Sequence, residues 1–100
     1  MPTKMPVRAV GLPWYKAEDY AAIRSVMKDG DRLPATHADW QRKAEHIEQK
    51  CRGDGYLTVR AYVDPVEFPL WCSQRGLDVD ANARTQFASW VALQAHGKTH

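Results

Sequence analysis

Two arginines and two tyrosines form the group in this chain best suited to recognition chemistry. In the stretch from Tyr56 to Val63, the residues Leu57, Val59, Ala61 and Val63 alternate with Tyr56, Thr58, Arg60 and Tyr62. This period of two is that of a strand with one apolar face and one mixed face. A shorter strand is predicted around Met5 to Val10. If the two strands pair with Met5, Val7 and Ala9 buried, Arg8 joins Tyr56, Arg60 and Tyr62 on the outer surface. Arginine beside aromatic rings can stack on bases or clamp carboxylate and phosphate groups. Arg8, Tyr56, Arg60 and Tyr62 are therefore the candidate ligand- or partner-binding residues. The same residue types are common on the exposed or dimer-covered face of an ordinary sheet. No further basic residues gather nearby in sequence, which favours that structural reading. Changing Arg60 to glutamate is expected to spare the fold and weaken whatever binds the face.

Other constellations have simpler explanations. Asp29 and Asp31 flank a glycine beside Arg32, but calcium needs six or more oxygens and a longer acidic loop. These residues read as a helix stop with solvated charges. His37 and His46 stand about 180° apart on one proposed helix, so they cannot share a metal within it. Both read as surface histidines. Asp80 and Arg84 have the spacing of a helical ion pair. Cys51 and Cys72 belong to no C-x-x-C pattern, fall on apolar helical stripes, and read as reduced, unreactive thiols. No phosphate loop, nucleophile elbow or zinc-protease signature is present. The expectation is no catalytic residue, no metal ligand and no cofactor.

The elements that must position these residues follow from punctuation and periodicity. Gly11 and Pro13 are expected to end the first strand, leaving Trp14 and Tyr15 in a connection. A helix then starts near Ala17, shows Tyr20, Ile23 and Met27 at helical spacing, and stops at Asp29-Gly30-Asp31. Leu33-Pro34 reads as an extended link and Thr36 as the N-cap of a second helix. On that helix Trp40, Ala44, Ile47 and Cys51 make an apolar stripe, and Gly53-Asp54-Gly55 ends it. After the main strand, Asp64 caps a third helix opened by Pro65 and closed by Gly76. Asp78 or Asp80 caps a last helix whose Ala83, Phe87, Trp90 and Val91 are expected to face inward, and Gly97 ends it. The expected core includes Ile23, Trp40, Ile47, Val59, Trp71 and Phe87.

One hundred residues make one domain, with flexible ends expected at about 1–4 and 97–100. The net charge of +2 is spread along the chain, unlike the basic stripe of a dedicated nucleic-acid binder. No apolar run approaches the length of a bilayer span, and no signal core follows Met1. A cytoplasmic location is therefore expected. Four tryptophans are many for so short a chain, and they read mainly as core fillers with one or two available for an interface.

Several landmarks together resemble a small bacterial protein family of about this length with no assigned activity. They are Asp29-Gly30-Asp31, Leu33-Pro34, Trp40, Asp64-Pro65, Phe68, Trp71-Cys72, Gly76, Ala83-Arg84 and Phe87. The resemblance runs from about Trp14 to Trp90 and rests on turn and packing residues. It implies a shared fold and carries over no catalytic or binding residue. Pro69, inside the third helix, departs from what that fold would want.

The fold class expected is α+β, in the order β-α-α-β-α-α. A small two-stranded sheet carries about four helices packed mainly on one face. Two strands alone are marginal, so a second copy of the chain is expected to extend the sheet in a homodimer. The favoured function is a non-catalytic interaction or scaffold protein that self-associates and meets an unknown protein partner. The alternative is a small anionic-ligand or weak nucleic-acid binder using Arg8, Tyr56, Arg60 and Tyr62.

Overall fold

A computed structural model describes residues 8–96. Met5 and Val7 of the expected strand face, both chain ends and Gly97 lie outside the described residues. Strand β1 spans Ala9–Trp14 and a 3₁₀ turn over Ala17–Asp19 leads into helix α1, Tyr20–Val26. A second 3₁₀ turn over Gly30–Arg32 precedes helix α2, His37–Gly53. Strand β2 spans Leu57–Tyr62, and helices α3, Glu67–Gln74, and α4, Ala81–His96, complete the α+β order expected from sequence.

The two strands run parallel, with Ala9 opposite Leu57, Gly11 opposite Val59 and Trp14 opposite Tyr62. Parallel neighbours need a long crossover, and α1 and α2 supply it. Leu57 N–H donates to the Arg8 carbonyl and Val63 N–H to the Trp14 carbonyl, both at 2.9 Å. The even-numbered residues of β1 therefore bond to β2, while Ala9, Gly11 and Pro13 turn their backbone groups away. Gly11 and Pro13 do not end β1 as expected; they lie inside it. Proline is tolerated because an N–H at position 13 would face away from the ladder. Gly11 is required by packing: a Cβ there would stand 1.9 Å from the Ala88 carbonyl oxygen of α4. The buried side of α4 is made of Ala83, Arg84, Ala88 and Ala92, so small side chains let the helix settle onto the sheet. Trp14 and Tyr15, expected in a connection, are core residues at 4% and 3% exposure.

The bulk of the helical cover lies on the Gly11 face, through α4. The opposite face also has a partner. There Trp14 meets Trp40 of α2 edge to face at 5.2 Å between ring centroids, beside Tyr15, Tyr20 and His37. Ile23, Met27, Val63, Phe68, Cys72 and Ala83 complete the core. Of the expected core, Ile23 and Trp40 are buried, Val59, Trp71 and Phe87 are half-buried, and Ile47 is half-exposed.

Local signals hold at some helix ends, though α3 starts at Glu67 and not at Pro65. The Thr36 hydroxyl accepts from the Asp39 N–H, capping α2. The Asp64 carboxylate accepts from the Val66 and Glu67 N–H groups at 2.9 and 2.8 Å, and these bonds lower its pKa. Pro69 is the third residue of α3, near its start, where proline is better tolerated than in a helix interior. Its presence therefore leaves the helix intact.

Candidate interaction surfaces

On the face expected to serve recognition, the Arg60 guanidinium already has partners within the chain. Arg8 and Tyr56 immediately precede the paired residues Ala9 and Leu57, and Arg60 and Tyr62 lie farther along β2. Arg60 Nε and Nη2 donate to the two oxygens of Glu48 on α2, at 2.8 and 2.9 Å. The guanidinium also lies 4.0 Å from the Trp14 ring centroid. Arg52 approaches the same carboxylate at 3.3 Å, and its Nε donates to the Thr58 hydroxyl. Glu48 is 3% exposed, so its charge is held almost out of water by two arginines. The Arg60 hydrogen bond pulls the Glu48 pKa down, and Glu48 in turn pushes the Arg60 pKa up. Arg60, though exposed, thus ties β2 to α2, with its charge offset by Glu48. Tyr62 is 49% exposed, and the Lys16 ammonium lies 5.8 Å from its ring centroid. Tyr56 is half-buried and Arg8 exposed.

The same pairing rotates α2. The apolar stripe expected through Ile47 passes instead through Trp40, Ala44, Glu48 and Cys51, and Ile47 turns outward. Glu48 looks like one charge among many on a mixed helix, and nothing near it in sequence announces its partner on β2.

A second ion pair replaces the one expected within α4. Arg84 does not pair with Asp80. Its Nη1 and Nη2 donate to the Asp29 oxygens at 2.8 and 3.0 Å. Asp80 instead caps α4 by accepting from the Ala83 N–H. Arg84 is 9% exposed, and its hydrogen bonds hold the Asp29 carboxyl below its usual range. Beside it, burial pushes the Tyr15 phenol up to about 12. Asp29 thus anchors α4, and the helix stop expected at Asp29-Gly30-Asp31 is corrected: α1 already ends at Val26, and Gly30–Arg32 forms a 3₁₀ turn. A Cβ on Gly30 would stand 1.9 Å from the Arg24 carbonyl oxygen, which explains the glycine.

The remaining chemical candidates fall into the fold. Cys72 is fully buried, and desolvation raises its thiol pKa, the reverse of a reactive cysteine. His37, expected at the surface, is half-buried, and its Nε2 donates to the Tyr15 carbonyl at 2.7 Å. His46 is exposed. Among the described residues no group of three histidine, cysteine or acidic side chains is placed to hold a metal ion. No helix among them is long and apolar enough to cross a membrane.

Two further surfaces stand open among the described residues. One joins α3 to α4, where Phe68, Trp71, Phe87 and Trp90 form an aromatic cluster and Arg75 lies 4.1 Å from the Trp71 centroid. Trp90, expected inside, is 41% exposed, and Leu70 and Leu93 are more so. The other is the outward edge of β1. Among the described residues no other segment makes a backbone hydrogen bond to Ala9 or Gly11 there. Ala9, Val10 and Gly11 line an open groove with Thr85, Ser89 and Leu93 of α4. Sequence reasoning anticipated an open strand but not its position, because the parallel register depends on the crossover.

No protein-family model, curated protein or solved structure matches this chain.

Proposed function

We propose that this chain is a non-catalytic interaction protein that self-associates along the outer edge of β1. The observation that carries this reading is the outward set of backbone groups at Ala9 and Gly11, beside the groove along α4. A β-edge presents alternating donors and acceptors, so it is complementary to itself when a second copy runs antiparallel. A two-fold axis at Val10 sets Ala9 of one copy opposite Gly11 of the other. The contact is isologous and yields a four-stranded sheet in the order β2-β1-β1-β2. Pro13 has no N–H to offer, which limits pairing to the first half of β1 and fixes the register. Leu93, 62% exposed on the adjoining stripe of α4, adds apolar area to the same contact.

The test is mass in solution. Light scattering on the parent chain at micromolar concentration should give twice the chain mass. Ala9→Pro removes an outward N–H and leaves the β1–β2 ladder intact, so this variant should be folded and monomeric. A parent that stays monomeric across the concentration range would sink the proposal. So would an Ala9→Pro variant that dimerises as the parent does.

A further inference from the structure

The strongest unassigned site is a groove of about 270 Å³ between the end of β1, the Leu33-Pro34 link and α2. Its walls are apolar, with Leu12, Trp14, Leu33, Trp40, Ala44 and Ile47 among them. Its charged lining residues are Lys43 and Arg84, and no acidic side chain joins them. Arg84 is fixed at the inner side by its bidentate bond to Asp29, which balances its charge. Lys43 is exposed and forms no ion pair among the described residues, so it leaves the groove with an uncompensated positive charge. Ile47 is 50% exposed although it belongs to this apolar wall. Small-molecule sites combine such walls with a few placed polar groups, and this volume lies just under the range typical of drug-sized ligands.

We propose that this groove binds a small carboxylate with an apolar tail. The tail lies along Trp14, Trp40 and Ile47, and the carboxylate meets the Lys43 ammonium at the rim. The charge pattern selects against cations, and the apolar walls select against small hydrated anions such as phosphate, whose desolvation nothing here would offset. The site is separate from the Ala9–Gly11 edge, so it stands or falls independently of self-association.

Hexanoate is a suitable probe, with hexanamide as its neutral counterpart. Backbone amide shifts recorded during titration should move saturably for Leu12, Trp14, Trp40 and Ala44, in the millimolar range for hexanoate. Hexanamide should bind about three- to fivefold more weakly, as expected for loss of one exposed charge contact. Lys43→Met keeps the side-chain stem and removes the charge, so it should erase that difference with an unchanged melting curve. Ala44→Phe fills the groove and should abolish the response to both probes. Absence of saturable shifts with hexanoate would overturn the proposal. Equal binding of both probes to the parent, or a hexanoate preference that survives Lys43→Met, would also overturn it.

Discussion

Reversing the charge at Arg60 sets a second carboxylate against the buried Glu48. The Arg60→Glu variant should therefore be destabilised by about 2–4 kcal/mol, somewhat less than for a fully enclosed pair because Arg60 is 37% exposed. Arg60→Met retains the stem over Trp14 and should be milder, though it still leaves Glu48 with Arg52 alone. Urea titration of both variants measures the difference, and a melt unchanged from the parent in Arg60→Glu would refute the pairing. This reverses the outcome expected from alternation, which correctly gives the side of the strand on which Arg60 lies. Alternation is a property of one segment, whereas the cover on that side comes from α2. Gly11 teaches the same lesson. Its glycine reads locally as a strand end, yet its function is to admit the Ala88 carbonyl of α4. Gly11→Ala should cost about 1–3 kcal/mol by overpacking against a backbone that cannot rotate away. A variant as stable as the parent would mean that α4 does not sit this close.

Among the elements, those defined by local chemistry were legible and those defined by contact were displaced. Thr36 caps α2 where the sequence places it, because the cap needs only neighbouring N–H groups, whereas α3 starts at Glu67, after Pro65, with Asp64 holding the turn before it. The inward faces of α2 and α4 were less legible. On α2, Arg60 draws Glu48 in and turns Ile47 out. On α4, alanines face the sheet while Phe87 and Trp90 turn toward Trp71 of α3, the two rings lying 5.3 and 6.2 Å from it. Large apolar residues are natural core choices when a helix is read alone, but a helix against a glycine-bearing strand needs small ones. The α3–α4 contact thus depends on an aromatic cluster that is only partly covered. Phe87→Ala removes ring contacts to Phe68, Trp71 and Trp90 together and should cost about 3 kcal/mol, at the lower end for aromatic truncation because the site is half-buried. Thermal melts would read this as a fall of about 12–24 °C for a domain of this size. A shift of a degree or two would place Phe87 outside the cluster.

For the molecule as a whole, two bidentate arginine–carboxylate pairs join separate elements. Glu48–Arg60 ties the crossover to the sheet, and Asp29–Arg84 ties the loop after α1 to α4. Sequence patterns do not reveal such links, since each partner lies on another element, so the way the layers are joined was the least legible part of the fold. The links have a signature in pH. Both carboxyls have pKa values lowered in the folded chain, chiefly by hydrogen bonds from their arginines. An unfolded carboxyl titrates at about 4, so below that pH the unfolded chain takes up protons that the folded chain still refuses. The stabilisation is therefore complete above about pH 5 and declines as pH falls through the folded values. The Tyr15 phenol acts at the other end. Its pKa of about 12 lies above that of an unfolded tyrosine, so stability should fall as pH rises from about 10 toward 12. Urea midpoints measured from acid to alkaline pH, at one protein concentration because association also shifts them, should trace a plateau with a shoulder on each side. Glu48→Gln should flatten the acid shoulder and leave the alkaline one, whereas Tyr15→Phe should do the reverse. An acid shoulder as steep in both Glu48→Gln and Asp29→Asn as in the parent would show that these links do not govern the acid stability of the fold.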